Sequence, residues 1–570
     1  MLKRRIYILS LLTAFLFTSL AFGQSVVKLK AYDGTPGSLL IAQIKADTLA
    51  NKGIPAGRVY ELEAGKIYLS TELFNVAAKY TLRLKGAEGK KAIIYLYPTG
   101  TGANPTRPPG NLFVLIGGNL EMSNIAVAGF FEPDAAGLND VQGGLVNTTA
   151  AGSSIIVDKC VLSNINGQHI RTGSATKVVK VTNTIFANAG ALTTSNFGAG
   201  KGLDLREASC DSLILLNNTF VNYQDRPIRH YNFANPLAGT GGLKYVRIEH
   251  NSFVNGMGFH GLLSLGNVGK EVIISNNLFV DAFASGEDST DGTRAAEWAN
   301  TGEKYPSGKN RMSWIFTAPN DTTIWKVKNN FYSISAAGQK FFDDNKSTPI
   351  TEGKPLSWHI NRRLGSDSVK AFQKQSVTLK NIPNLMINMM NWYLSPAGGN
   401  KTKNTPSSLW DKNLHDFDRR DLNYYINDYN GGYVTTSPLY MAAEKGFPVG
   451  DLNWFPTEKQ IWDNGGSIVS VNGNEIIPNE FTLDQNYPNP FNPTTTISYA
   501  LPKASNVSLV VFNALGQKVA ELVNAEQAAG SYTVNWNGKD LSGKNVSSGI
   551  YFYQIKTADV SMTKKMMLLK

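Results

Sequence analysis

The sequence predicts an all-β protein, a parallel β-helix followed by a small β-sandwich, on three observations. A short signature recurs through the central region: an apolar residue, a gap, a polar residue (mostly Asn), and an apolar residue three places on. In residues 481–570 apolar and polar residues alternate with period two, between turns rich in Asn, Gly and Pro. The 570 residues include 53 Gly, and only 17% are charged. That length is ample for a sizeable core.

Lys3, Arg4 and Arg5 precede a mostly apolar run from Ile6 to Phe22, with Ala21 and Gly23 just ahead of a cut before Gln24. This is the pattern of a Sec-type signal peptide over residues 1–23. No later stretch is long and apolar enough to span a bilayer, so no transmembrane segment is expected after signal cleavage. Ser38 to Asn51 reads as an amphipathic helix, apolar at Leu39, Leu40, Ile44 and Leu49, that caps an open coil end. Arg58 to Leu69 reads as the first coil.

The recurring signature falls at Met122-x-Asn124, Val157-x-Lys159, Val181-x-Asn183, Leu215-x-Asn217, Ile248-x-His250, Ile274-x-Asn276 and Val327-x-Asn329. Three residues beyond each anchor stand Val127, Leu162, Phe186, Phe220, Phe253, Phe279 and Tyr332. The anchors are 35, 24, 34, 33, 26 and 53 residues apart. Units of variable length with one fixed strand signature point to a β-helix, with surplus residues in outward loops. The anchor Asn amides are expected to stack from coil to coil, with stacked rings filling the core beside them. His250, in an anchor position, is expected to be a structural hydrogen-bonding residue. Residues 284–315 and 340–430 fit the repeat poorly and are expected to be long loops or an inserted cap. Ser437 to Tyr440 and Pro448 to Leu452 read as a last coil. The β-helix domain is thus placed at 24–455, a linker at 456–480 and the sandwich at 481–570.

In that last segment Thr495-Ile497-Tyr499, Val507-Leu509-Val511 and Tyr551-Tyr553-Ile555 alternate as half-buried strands do, about seven in all. The net charge of +11 is dispersed: +3 lies in residues 1–23 and +3 in 481–570, leaving +5 on the central region. No basic run or nucleic-acid motif appears, so no nucleic-acid partner is expected. Cys160 and Cys210 make neither a disulfide framework nor a zinc site; buried free thiols are expected, with pairing in an oxidising compartment the open alternative.

The final ninety residues resemble the type A C-terminal sorting domain of cargo of the type IX secretion system in Bacteroidota-like bacteria. The resemblance rests on Asn486-Tyr487-Pro488-Asn489-Pro490-Phe491-Asn492-Pro493, Leu515-Gly516-Gln517, Trp536-Asn537-Gly538, Ser548-Gly549-Ile550-Tyr551 and Lys564-Lys565. It implies an Ig-like sandwich, the type IX machinery as partner, and a secreted or outer-surface destination. In that family the domain is commonly removed after translocation, and the cargo is released or attached to surface lipopolysaccharide. The coils from Gln24 to Phe455 resemble right-handed parallel β-helix proteins of the pectate-lyase-like superfold.

A second short strand precedes the anchor strand in several coils. In His169-Ile170-Arg171, Asp204-Leu205-Arg206 and Pro227-Ile228-Arg229 the aliphatic residue is expected to point inward. Equivalent positions on successive coils stack about 4.8 Å apart. Arg171, Arg206 and Arg229 would then form an outward ladder, with His169 and Asp204 on its other side and Arg226 and His230 close by. Stacked guanidiniums need anionic company, either Asp204, Glu207 and Asp225 or a bound polyanion such as a uronate chain. The superfold resemblance implies a polysaccharide lyase, in which Arg takes the C5 proton and Asp-bound Ca²⁺ neutralises the carboxylate. On that reading Arg206 or Arg229 is the catalytic base, Arg171, His169, Arg226 and His230 bind substrate, and Asp204, Asp211 and Asp225 hold Ca²⁺. A structural salt-bridge ladder and a non-catalytic polyanion-binding face remain open alternatives. A glycoside hydrolase would draw on Asp281, Glu287, Asp288 and Asp291, which read as a solvated acidic loop. Two functional classes result: a secreted protein that binds or cleaves an extracellular acidic polysaccharide, and a structural or adhesive surface protein.

Overall fold

A computed structural model gives the fold. It describes residues 25–97, 110–129, 144–165, 167–190, 198–233, 242–347, 350–382, 386–404, 429–468, 481–486, 489–527 and 530–569. The expected signal peptide, Tyr487, Pro488 and residues 469–480 of the expected linker lie outside them. The chain divides into two compact units, Met1–Gln460 and Ile461–Lys570.

The first unit is a parallel β-helix. Two sheets have ten strands and the third has nine. One coil shows the plan: Thr176–Thr182 in the first sheet, Ile185–Ala189 in the second and Lys201–Arg206 in the third. Every neighbour within these three sheets is parallel. The helix Leu40–Ala50 buries Leu40, Ile41 and Ile44. Leu49, expected on that apolar face, is instead 83% exposed.

All seven anchor residues are left-handed, with φ from 52° to 60°. This is why Asn recurs there: a short polar side chain can bond its own turn and tolerates the αL region. The expected anchor ladder is corrected by one position. The buried amide ladder is made by the following residues, Asn218, Asn251, Asn277 and Asn330. Their Nδ2 groups donate to the next Oδ1 at 2.9, 3.0 and 2.9 Å. Each Oδ1 also accepts the backbone N–H of the preceding rung, and each amide reaches a strand carbonyl. Thr184 and Cys160 continue the column with side chains too short for the amide pattern. An αL anchor turns the chain, so the next side chain faces inward and its amide must be satisfied there. Cys160 and Cys210 are buried and free, and burial pushes the Cys160 thiol up to about 12.

The second sheet carries the predicted core column in register, Val127, Leu162, Phe186, Phe220, Phe253, Phe279 and Tyr332. Rings from Phe186 to Phe279 stack at 4.5, 5.1 and 4.8 Å. Each buried Phe contributes roughly 1.5–3 kcal/mol of transfer free energy. A second αL corner follows, at Asn164, Asn188, Asn222 and Asn255, with its own amide ladder.

In the segments expected to be long loops or an inserted cap, the described residues form short strands and helices. Glu287–Asp288 pairs with Ile350–Thr351, and helices span Gly292–Ala295, Ala336–Asn345 and Ile387–Leu394. Met257, Phe259, Phe341, Met389 and Tyr393 bury a separate apolar cluster there. The solvated acidic loop is also corrected. Asp281, Glu287, Asp288 and Asp291 are 6, 6, 1 and 3% exposed. Each accepts from a donor: Ser335 N–H for Asp281 Oδ1, Tyr305 for Glu287, Lys401 for Asp288, Tyr393 and Arg294 N–H for Asp291.

The expected last coil from Ser437 to Leu452 contains no strand. It forms short 3-10 turns at Pro438–Met441, Glu444–Gly446 and Leu452–Trp454, and lies as a strap across the anchor corners. Gly450 N–H donates to Asn276 O at 2.8 Å, Asp451 N–H to Ser252 Oγ at 2.9 Å, and Trp454 Nε1 to Thr219 Oγ1 at 2.9 Å. Pro438 and Pro448 lack the donors a central strand needs, and the corners leave exposed acceptors for the strap. Pro456–Asp463, expected to be linker, is helical.

The second unit has a three-stranded antiparallel sheet (Thr482–Leu483, Thr495–Leu501, Gly530–Trp536) and a four-stranded one (Ser505–Asn513, Lys518–Gln527, Gly549–Lys556, Ser561–Leu568). The three predicted alternating sets all point into its core.

Replacing Asn251 by Ala leaves several buried groups unpaired. Its urea midpoint is expected to fall by the equivalent of about 2–4 kcal/mol. Asn183→Gly should stay within about 1 kcal/mol of Asn183→Val's parent, whereas Asn183→Val itself should cost about 1–2 kcal/mol more than the Gly change. Equal costs for the two changes at Asn183 would contradict the αL assignment.

Candidate functional site

The third sheet builds the site. Its strands Gln168–Thr172, Lys201–Arg206, Ile228–His230 and Leu263–Ser264 run in register. Ile170, Leu203, Ile228 and Leu263 form the inward column, and Arg171, Asp204, Arg229 and Ser264 the next one. The expected three-arginine ladder is therefore corrected: a carboxylate separates two guanidiniums, and Arg206 sits opposite His230 after a register shift. The expected register was two residues off. Leu203 and Leu205 are both buried, and a slip of two preserves the inward–outward alternation, so pattern alone cannot separate them. Arg206 itself is left-handed, with φ 50°, and its N–H donates to Asp204 Oδ1 at 3.2 Å.

Asp204 is 1% exposed, with Oδ2 3.5 Å from Arg229 Nη1, and the Arg229 guanidinium lies 4.9 Å over the Tyr231 ring. Arg171, Arg206 and Arg229 are half-buried.

Behind this column lies a buried charge network centred on Asp225. Lys201 Nζ is 2.7 Å from Asp225 Oδ2, and Arg226 Nε is 3.6 Å from the same oxygen. His260 donates from Nδ1 (3.0 Å) and from its backbone N–H (3.1 Å) to Oδ1. Arg226 also binds His260 O at 3.2 Å and pairs with Glu297. Burial opposes the Asp225 charge, but Lys201, Arg226 and His260 together hold its carboxyl well below the usual range. Burial draws Lys201 down, and likewise His260. An ionised Asp225 only accepts, so the His260 proton sits on Nδ1. Its Nε2 is left as a bare acceptor without a hydrogen bond among the described residues.

Several expected placements are corrected. His169 and His230 are buried rather than outward. His169 lies edge-on to Phe186 at 5.4 Å, and His230 faces Leu265 O and Ala208 O. Arg226 is 1% exposed and occupied within the network. The three aspartates assigned to Ca²⁺ do not converge. Asp211 is on the first-sheet strand Cys210–Leu216, half-exposed and paired with Lys244 at 2.5 Å, while Lys201 and Arg226 occupy the Asp225 carboxylate. No cluster of three His, Cys, Asp or Glu able to hold a metal occurs among the described residues, so these residues do not fit Ca²⁺. His250 bonds Gly450 O at 3.2 Å, fastening the strap.

The sequence reading missed Lys201, His260 and Glu297. Coil spacing carried a signal for His260, which follows Asp225 by the same 35 residues that separate Arg229 from its partner Ser264. Glu297 comes from outside the repeat and carried none.

In the second unit Asn486 is buried, donating from Nδ2 to Thr495 Oγ1 at 2.9 Å and from its backbone N–H to Tyr553 Oη at 2.8 Å. Asn489 Oδ1 accepts from Met567 N–H at 2.9 Å, and the Asn489–Pro490 bond is cis. Phe491 packs 5.6 Å from Trp536. Gly516 turns with φ 77°, and Gly549 opens the strand Gly549–Lys556.

Residues 490–561 match the family described as FlgD Ig-like domain. Among solved structures, the chain is similar to PorZ, an essential bacterial surface component of the type-IX secretion system of Porphyromonas gingivalis. That match has 20% identity and a TM-score of 0.13, over 18% of this chain and 13% of that one. It is also similar to dimeric latent PorU from Porphyromonas gingivalis, at 18% identity and a TM-score of 0.15, over 18% of this chain and 10% of that one. The matched part is a small fraction of either solved chain. No curated protein matches. Among the described residues no helix is long and apolar enough to cross a membrane.

Asp225→Asn leaves Lys201 and Arg226 without their shared anion. It is expected to cost about 3–5 kcal/mol in urea unfolding, whereas Asp211→Asn, which breaks an exposed pair, should cost under about 1 kcal/mol. Burial lowers His169, His230 and His250 to about 4. Unfolded histidines titrate near 6.5. The unfolded state therefore binds more protons between those values, and stability should be full above about pH 6.5 and fall as pH drops towards 4. His250→Asn, with a residue suited to the αL corner, should reduce the slope of midpoint against pH by about one proton in that window.

Proposed function

We propose that the chain is exported across both membranes of a Gram-negative cell and that its third sheet binds an acidic extracellular polysaccharide. The observation that carries the binding reading is the division of charge on that sheet. The carboxylates Asp204 and Asp225 are buried, at 1% and 0% exposure, while Arg171, Arg206 and Arg229 reach its outer side, with Glu207 exposed next to Arg206. A chain of uronates offers a carboxylate to each guanidinium, and Arg suits that bidentate exchange. The export reading rests on the basic and apolar N-terminal pattern, on the ordered motifs of the last ninety residues, and on the Ig-like match over residues 490–561.

A second reading, β-elimination, is favoured by the Asp225–His260 pair. An acceptor nitrogen held in one tautomer by a buried carboxylate suits removal of a C5 proton, with an arginine neutralising the uronate carboxylate; the C4–C5 double bond forms as the C4–O bond breaks, and the departing oxygen takes a proton from water. In protonation state His260, 8% exposed, suits this better than Arg206 or Arg229, because a neutral imidazole accepts a proton near neutral pH and a guanidinium does not. No step in this reading uses Ca²⁺.

Affinity electrophoresis of the mature protein through pectate and alginate gels tests binding. Retardation is expected, and Arg171→Ala and Arg229→Ala should each weaken it about tenfold. Unretarded migration in every uronan would exclude this reading. Ultraviolet absorbance of unsaturated uronate, appearing with the parent protein and abolished in His260→Gln, separates elimination from binding alone. Removal of residues 481–570 should leave the protein in the periplasm of a type IX-competent host.

A further inference from the structure

A free sheet edge lies at the start of the β-helix. The third sheet begins with Phe74–Ala77, which pairs with Phe113–Ile116 and, among the described residues, with nothing on its other side. Phe74 N–H donates to Leu112 O at 2.9 Å. Main-chain groups alternate along a strand, so Asn75 directs its N–H and C=O to the open side. Exposed edges of this kind pair readily with another strand.

The edge borders a groove of about 600 Å³. Ile54, Phe74, Ala77 and Tyr80 line one part of it. Lys45, Thr48, Leu49 and Lys52 line the other, spaced as one face of the helix Leu40–Ala50 and its end. Leu49 is 83% exposed, an apolar side chain with no cover. Two lysines line the groove: Lys45, which pairs with Glu72, and Lys52, which has no ion pair among the described residues.

We propose that this groove takes an extended peptide, which adds a strand to Phe74–Ala77, seats alternate apolar side chains against Leu49, Ile54 and Tyr80, and sets an acidic residue against Lys52. The four-residue edge is about 13 Å long, enough for three or four peptide residues. An acyl chain would fill the apolar volume but leave the Asn75 main-chain groups unused. A basic peptide would meet Lys52 with like charge.

Fluorescence anisotropy of the full chain with labelled Asp-Val-Thr-Val-Thr-Val-Asp tests this. Saturable binding is expected. A copy N-methylated at alternate residues and a copy with Lys at both ends should each bind at least about tenfold more weakly. Asn75→Pro removes the outward donor along with a groove-lining side chain, and Leu49→Glu alters an exposed side chain; each should weaken the acidic probe by a similar factor. Lys52→Asn, a change the left-handed φ of 55° tolerates, should weaken it more at low salt than at high salt. Absence of saturable binding overturns the proposal, as does equal affinity for the N-methylated copy. Saturable binding of the fluorescent fatty acid parinarate, unaffected by Asn75→Pro and without peptide binding, would assign the groove to an acyl ligand and also overturn it.

Discussion

The left-handed corner between the first and second sheets is the constraint on which the rest of the molecule depends. It fixes where each coil turns, and the residue after it must bury a polar side chain. In Asn218, Asn251, Asn277 and Asn330 that need is met by bonds to the neighbouring coils. Each rung thus satisfies itself only if the next coil is in register. One saturated column of amides sets the stacking of coils whose loops differ widely in length, and it aligns the Phe186–Phe279 rings beside it.

Register set at that corner is transmitted around the coil to the third sheet, where it decides the charge pattern. Two residues of slip would place three guanidiniums in a row; the actual register interposes Asp204 and brings Lys201, Arg226 and His260 around Asp225. A fully buried carboxylate between two cations is costly to desolvate and costly to disrupt. Such a network holds the adjoining strands and the segment bearing Glu297 in one arrangement. It also keeps the outward arginines from meeting one another unscreened.

The strap from Ser437 to Phe455 uses the same corners from outside. Its donors reach Asn217, Asn276, Ser252 and Thr219, so the chain returns over coils it left some two hundred residues earlier. Asp451 is buried under it, accepting from Thr219 and Asn453, and burial pushes its carboxyl up to about 7. The corner residues therefore serve two layers: their backbone shape turns the coil, and their outward groups dock the strap.

Much of this was legible in the sequence because the β-helix repeats a local requirement. The αL positions and the stacked ring column announced themselves by residue type at a fixed interval, and the strand alternation of residues 495–555 did the same for the second unit. A second corner, at Asn164, Asn188, Asn222 and Asn255, follows the anchors by five residues and carried the same signal unread. The candidate site was only partly legible. Asp204, Asp225, Arg226 and Arg229 were picked out by type, but period-two patterning is blind to a slip of two, so Leu203 and Leu205 were interchangeable until packing chose between them. Whether Asp288 or Asp291 is solvated, and which side chain completes the Arg226 pair, depends on segments distant in sequence such as Tyr393, Lys401 and Glu297. The sequence by itself determined the coil, its corners and its core, which are local and repeated. Only the tertiary structure decided register, burial of charge and the course of the strap, because those depend on which non-repeating segments meet.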